Sequence, residues 1–183
     1  MADEQVRDET LNMRSNNLIN TATDNQYVTF RIGEEEYGID IMLVQEIIRY
    51  SKPTTVFNSN PVIKGVTNFR GKVIPVVNMH CKFNLFEVEY DEYTVVIIIE
   101  VNGKTMGMIV DRVSDIMSFN EEDIQEVNQE FAQDIKTEHL KGMAKTKERI
   151  IMLLNPEKIM NNTELKEISQ ELKEIEQLEE AQN

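Results

Sequence analysis

The side chains with the best claim to chemistry are two histidines, His80 and His139, a lone cysteine, Cys81, and three aspartates that follow apolar runs, Asp40, Asp111 and Asp115. A thiol beside an imidazole is the raw material of a nucleophile and its base. Read as a strand, however, the segment sends adjacent side chains to opposite faces, so adjacency alone does not make His80 and Cys81 a dyad. The expected arrangement is structural: a small buried thiol next to a partly exposed imidazole. The two histidines are far apart in sequence and no paired-cysteine motif accompanies them, so no metal site is expected. The aspartates suggest one alternative of another class, a receiver-type acidic pocket that accepts a phosphoryl group with Mg²⁺. That chemistry needs carboxylates converging at the C-terminal ends of parallel strands. The run 106–111 instead follows Asn102-Gly103, a tight-hairpin signal that implies an antiparallel neighbour, and caps and turn formers are the favoured reading of all three. Neither a G-x-x-x-x-G-K-[ST] nor a G-x-G-x-x-G loop occurs, so nucleotide binding lacks its usual backbone cradle and no cofactor is expected.

The elements that must position these residues are mostly strands. Short runs rich in β-branched residues at 27–32, 37–39, 62–69, 72–77, 93–101, 104–110 and 149–154 carry the signal. Turn residues separate them at Gly33-Glu34, Arg70-Gly71 and Asn102-Gly103. Asp40 is placed to cap a short helix through Ile41, Met42, Val44 and Gln45, and Ser59 or Asn60 with Pro61 starts another single turn. Connections this short favour antiparallel neighbours. The architecture is therefore expected to be mainly β and barrel-like, and about 130 residues of short strands suffice for two small halves.

The flanks differ in character. Residues 1–25 are polar with weak periodicity and read as a flexible N-terminal arm. Residues 161–183 carry Leu165, Ile168, Leu172, Ile175 and Leu178 at three- and four-residue steps after a capping Thr163, which predicts an amphipathic helix. From Thr163 onward it holds seven Glu against two Lys, so its outer face is acidic. Its apolar stripe either packs on its own β body, the favoured reading, or binds a partner.

Bulk properties narrow the function classes. With 40% hydrophobic residues in 183 the chain can bury a sizeable core. A net charge of −14 repels phosphate backbones and anionic lipid, which points away from nucleic acid and membrane surfaces and toward protein partners. No apolar run approaches the roughly 20 residues that span a bilayer, and the acidic start lacks the order of a signal peptide. A cytoplasmic location is expected, in keeping with a single cysteine. Short barrels filled with Val and Ile leave little room for a small-molecule cavity.

Several blocks, in order, resemble the CheW family of bacterial chemotaxis coupling proteins. They are Gln26-Tyr27-Val28-Thr29-Phe30, Glu36-Tyr37-Gly38-Ile39-Asp40-Ile41, Val44-Gln45-Glu46-Ile47, Ile63-Lys64-Gly65-Val66, Asn68-Phe69-Arg70-Gly71, Thr94-Val95-Val96-Ile97, and Val110-Asp111 through Val113-Ser114-Asp115. The resemblance covers residues 26–160 and implies a noncatalytic domain of two small five-stranded β-barrel subdomains. It implies a scaffold that couples methyl-accepting chemoreceptors to the histidine kinase CheA, cytoplasmic and recruited to receptor arrays at the inner face of the membrane. Little chain remains for a kinase core or a receiver domain, so a free-standing adaptor is the expected form.

By the same resemblance Val44, Glu46, Ile47, Gly65, Asn68 and Arg70 match positions at or near a receptor-facing groove. Helix-in-groove binding uses aliphatic anchors with a few polar orienting groups. Read without the resemblance, Val44 and Ile47 are ordinary core. Arg70, a guanidinium at a tight turn, is either a solvated loop charge or an orienting group paired with a carboxylate. Glu130 and Phe131 are the kinase-side candidates, an aromatic in a polar loop being either an interface anchor or a side chain tucked on the barrel. Val66 and Val77 are assigned to the core. Asn78-Met79-His80 stands where relatives commonly read Asp-Leu-Arg, which leaves open whether a salt bridge forms there. Arg112 and Ala144 replace frequent glycines, so differently shaped turns are expected.

Overall fold

The structure, a computed structural model, describes residues 16, 19, 25–55, 61–127, 137–160 and 162–182. Its apolar runs form strands buried on both faces. In β6 (Val95–Val101), the alternating side chains of Val96 and Ile98 enter one cluster while Ile97 and Ile99 enter another. Such a run is continuously hydrophobic rather than alternating because neither face meets water.

Two sheets result. The first has six strands in the order β8 (Arg112–Ser118), β1 (Gln26–Ile32), β2 (Glu35–Asp40), β11 (Ile150–Leu154), β10 (Leu140–Lys145) and β9 (Ile124–Gln125). The second has five, in the order β3 (Val44–Arg49), β6, β7 (Lys104–Val110), β5 (Lys72–Asn78) and β4 (Ile63–Phe69). The second sheet is one continuous stretch of sequence nested between β2 and β8 of the first. Each sheet surrounds a small cluster of its own, Tyr27, Phe119, Ala144, Ile151 and Leu153 in one, Ile74, Val76, Val96, Ile98 and Ile109 in the other. Their remaining faces share a larger core that includes Phe30, Ile39, Ile47, Ile97, Met108 and Leu154. A fully buried aliphatic such as Ile97 contributes about 1.5–3 kcal/mol, so this shared core binds the halves together.

The expected mainly β architecture of two small halves is what forms, as sheets of six and five strands whose hydrogen-bonded order does not close into a ring. The extra strand is the polar, mostly exposed β8, joined at the far edge by the two-residue β9. Nor is every neighbour antiparallel. β5 pairs in parallel with β7, and β2 with β11. Both parallel partners are separated by long stretches of chain, 25 residues (79–103) in the shorter case, which satisfies the length a crossover requires.

The tight turns do follow the sequence. Asn102 and Gly103 have φ of 52° and 76°, and Arg70 and Gly71 have 50° and 81°, the doubly positive geometry of a twist-matched two-residue hairpin. Asp40 caps a short turn, its Oδ1 accepting from Met42 N at 2.9 Å, but the turn is a 3₁₀ helix ended at Leu43 by the start of β3. A one-turn helix, α1 (Met79–Lys82), occupies the place read as strand continuation, capped by Asn78 Oδ1, which accepts from the backbone N–H groups of His80 and Cys81. The C-terminal helix α2 (Asn162–Gln182) forms as expected and docks on the chain's own second sheet. Leu172 packs against the shared core, and Lys82 Nζ donates to Glu164 Oε2 at 2.9 Å with both side chains nearly buried. No helix among the described residues is long and apolar enough to cross a membrane.

Candidate functional site

The predicted groove residues gather at the two outer edges of the five-stranded sheet. β3 carries a bulge against β6, where the register shifts between Val44 and Glu46. The extra residue restores to one face two side chains that strand alternation would separate, and Val44 and Ile47 both point inward, 4% and 2% exposed. Both side chains belong to the shared core. Glu46 is half-buried on the other side of β3, and the backbone N–H of Ile47 donates to Asn16 Oδ1 at 3.3 Å, covering part of this edge.

At the opposite edge, Gly65 lies beside an isolated bridge in which Thr54 and Val66 exchange two backbone hydrogen bonds of 2.9 Å. A Cβ at Gly65 would sit 2.3 Å from the Thr54 carbonyl oxygen, so only glycine lets this strand come so close. Asn68 is exposed and its Oδ1 accepts from Gly71 N at 3.1 Å, shaping the turn that holds Arg70. Arg70 then reaches back across the gap between the sheet edges. Its guanidinium lies over the Phe69 ring at 4.8 Å and pairs with Glu46 Oε2 at 3.5 Å. Arg70 is thus paired with a carboxylate while its side chain stays 64% exposed. The sheet thus curls toward a barrel without closing its hydrogen bonds. Val66 and Val77 are buried as expected. Glu130 and Phe131 lie outside the described residues.

The chemistry-bearing side chains are engaged elsewhere. His80 is buried and Cys81 is the more accessible of the two, the reverse of the expectation, because they sit on a helical turn. His80 Nε2 pairs with Asp111 Oδ1 at 2.6 Å while its Nδ1 faces the Phe86 carbonyl at 3.1 Å. Both ring nitrogens thus have an oxygen partner, and the ring is fixed between the turn after α1 and the end of β7. Asp111 Oδ2 accepts from Gly33 N at 2.8 Å. A direct His80–Asp111 contact therefore stands where the Asp-Leu-Arg pattern is missing. Burial pushes the Cys81 thiol up, and the Glu87 carboxylate 3.7 Å away adds to the effect, which makes it a poor nucleophile at neutral pH. Asp40 serves as a cap, and Asp115 Oδ1 accepts from the N–H of Ile116 at 2.8 Å. All three aspartates thus bond to backbone N–H groups rather than forming a phosphoryl-accepting pocket. Among the described residues no group of three or more His, Cys, Asp or Glu is arranged to hold a metal ion.

One cluster escaped the sequence reading. α2 lies over the sheet beside the candidate site, and Asn68 lines the cleft between them together with Ile175 and Leu178. The periodic stripe was visible in sequence; the face that receives it was not.

Comparison with known proteins gives a consistent picture. The CheW-like domain family matches residues 26–164. The chemotaxis protein CheW of Klebsiella aerogenes is 41% identical over 140 residues, covering 76% of this chain and 84% of that protein. CheW of Treponema pallidum is 31% identical over 148 residues, covering 79% and 86%. The crystal structure of the scaffolding protein TtCheW from Thermoanaerobacter tengcongensis superposes with a TM-score of 0.67 at 29% identity, covering 74% of this chain and 86% of that one.

Proposed function

The chain belongs to the CheW-like domain family, and from that membership we propose that it is a noncatalytic chemotaxis scaffold joining the signalling tips of methyl-accepting chemoreceptors to the histidine kinase CheA. It works in the cytoplasm, recruited to receptor arrays at the inner face of the membrane. The receptor side is the outer edge of the five-stranded sheet, where Glu46, Asn68 and Arg70 make contact. Val44, Ile47 and Gly65 serve it from beneath by fixing the two edge strands. Glu130 and Phe131 belong to the kinase side.

The observation that carries this reading is the conformation of Arg70. A non-glycine residue with φ of 50° is strained, and Asn or Gly would hold the same turn at lower cost. The chain nevertheless keeps an arginine there, stacked on Phe69 and steered by Glu46, with 64% of its side chain exposed. An exposed, oriented cation kept at a strained turn supports reading Arg70 as a contact residue. Co-sedimentation with a purified chemoreceptor cytoplasmic fragment tests it. Arg70→Glu should lower binding on the order of tenfold while circular dichroism stays unchanged. Unaltered binding by a folded Arg70→Glu protein removes this edge from the receptor site.

A further inference from the structure

We propose that the last turns of α2, beyond the Leu172 anchor, occupy part of the receptor-facing edge and compete with the receptor's helix for it. The inference rests on the receptor reading given above and adds a regulation of that site.

The seating of α2 is uneven along its length. Its first half is anchored by the nearly buried Lys82–Glu164 pair and by Leu172 in the shared core. Its second half crosses Val66, Asn68 and Val73 and leaves beside it a cleft of about 380 Å³ that is partly open to solvent, so the two surfaces meet incompletely here. Leu178 is 65% exposed although it lines the cleft, and Ile175 is only partly buried. Glu171 is drawn into the same space, where burial and the neighbouring Glu167 and Glu174 raise its pKa. From the sheet the cleft is met by Thr, Val and Asn side chains, none of which can neutralise the carboxylate. This half of the helix is placed on the sheet without being locked there.

The overlap with the site is direct. Asn68, which shapes the turn of Arg70, also lines the cleft under Ile175 and Leu178. A β face that already takes one amphipathic helix, loosely, has the shape to take another. An incoming receptor helix that reaches Asn68 must lift the end of α2, and its apparent affinity is lowered by the fraction of time α2 is seated.

Two full-length variants shift this equilibrium in opposite directions. Leu178→Asp loosens the seat and should tighten binding of a purified receptor cytoplasmic fragment by about three- to tenfold. Glu171→Leu adds apolar volume to the cleft, removes the repelling charge and should weaken binding by a comparable factor. Amide hydrogen exchange of 171–182 should speed up when the fragment binds to the unaltered chain. If the fragment binds both variants and the unaltered protein equally, competition is refuted while the receptor reading stands. If it binds none of the three, both fall together.

Discussion

Arg70, at the turn leaving edge strand β4, meets Glu46 of the opposite edge strand β3 at 3.5 Å, although no backbone hydrogen bond joins those strands. An ion pair this exposed contributes at most about 1 kcal/mol. Its effect is on direction: it holds the guanidinium over the open seam of the sheet. Arg70→Asn, which relaxes the positive φ, should leave thermal stability unchanged or slightly raised and still reduce receptor binding. A melting curve beside a binding isotherm checks both halves of the trade. Retained binding would show that the cation has no role at this seam.

Val44 and Glu46 are two residues apart and should fail in different ways. Val44→Asp places an unpaired charge in the shared core and is expected to cost more than about 3 kcal/mol, visible as lost cooperativity in urea. Glu46→Lys keeps the fold and repels Arg70, so it should alter binding alone.

Gly65→Ala is expected to destabilise by about 2–4 kcal/mol, because the new methyl meets the backbone oxygen of Thr54 rather than a yielding side chain. The midpoint of chemical denaturation measures it. A shift below about 0.5 kcal/mol would mean that the Thr54–Val66 bridge opens freely.

Two phenols give an alkaline signature. Burial, then the charge of Glu35, pushes Tyr37 up to about 12, and burial, then Tyr50 and nearby carboxylates, does the same to Tyr90. A pKa raised on folding stabilises fully below the unfolded value of 10.0 and loses that contribution as pH climbs toward 12. Stability should therefore fall between pH 10 and about 12. Tyr37→Phe and Tyr90→Phe should each flatten the slope.

Glu171 acts at the other end of the scale. Burial, with Glu167 and Glu174, raises its pKa, so docking of α2 is favoured below the ordinary carboxylate value and weakens as pH rises through the raised one. Slower amide exchange in 171–182 on acidification, reproduced at neutral pH by Glu171→Gln, is the expected result.

Much of this was legible in the residues themselves. Asn102-Gly103 and Arg70-Gly71 announce their turns because few residues accept positive φ twice in succession. The doubly buried runs announce β5, β6 and β7. β3 was hidden because its bulge puts Val44 and Ile47 three apart, the spacing of a helical face, beside the genuine cap at Asp40. β8 was hidden because an exposed edge strand needs no apolar alternation, and Arg112–Ser118 has little. The pairing of His80 with Asp111 could not be read because it spans 31 residues and depends on a helical turn of only four. That Val44 and Ile47 turn inward while Asn68 and Arg70 turn outward belongs to geometry that sequence spacing does not carry.

The nesting of one sheet inside the other sets an order of assembly on the ribosome. β3 to β7 leave the exit tunnel as a contiguous block and can pair at once. The hairpin of β1 and β2 must instead wait for β8 and, later still, β11 to satisfy its two outer edges. For most of translation that hairpin has open strand edges on a nascent chain, where a stray strand could pair with it. Slow synthesis across 112–154 would prolong that exposure, and truncated products ending before Ile150 should be the species that holdase chaperones retain.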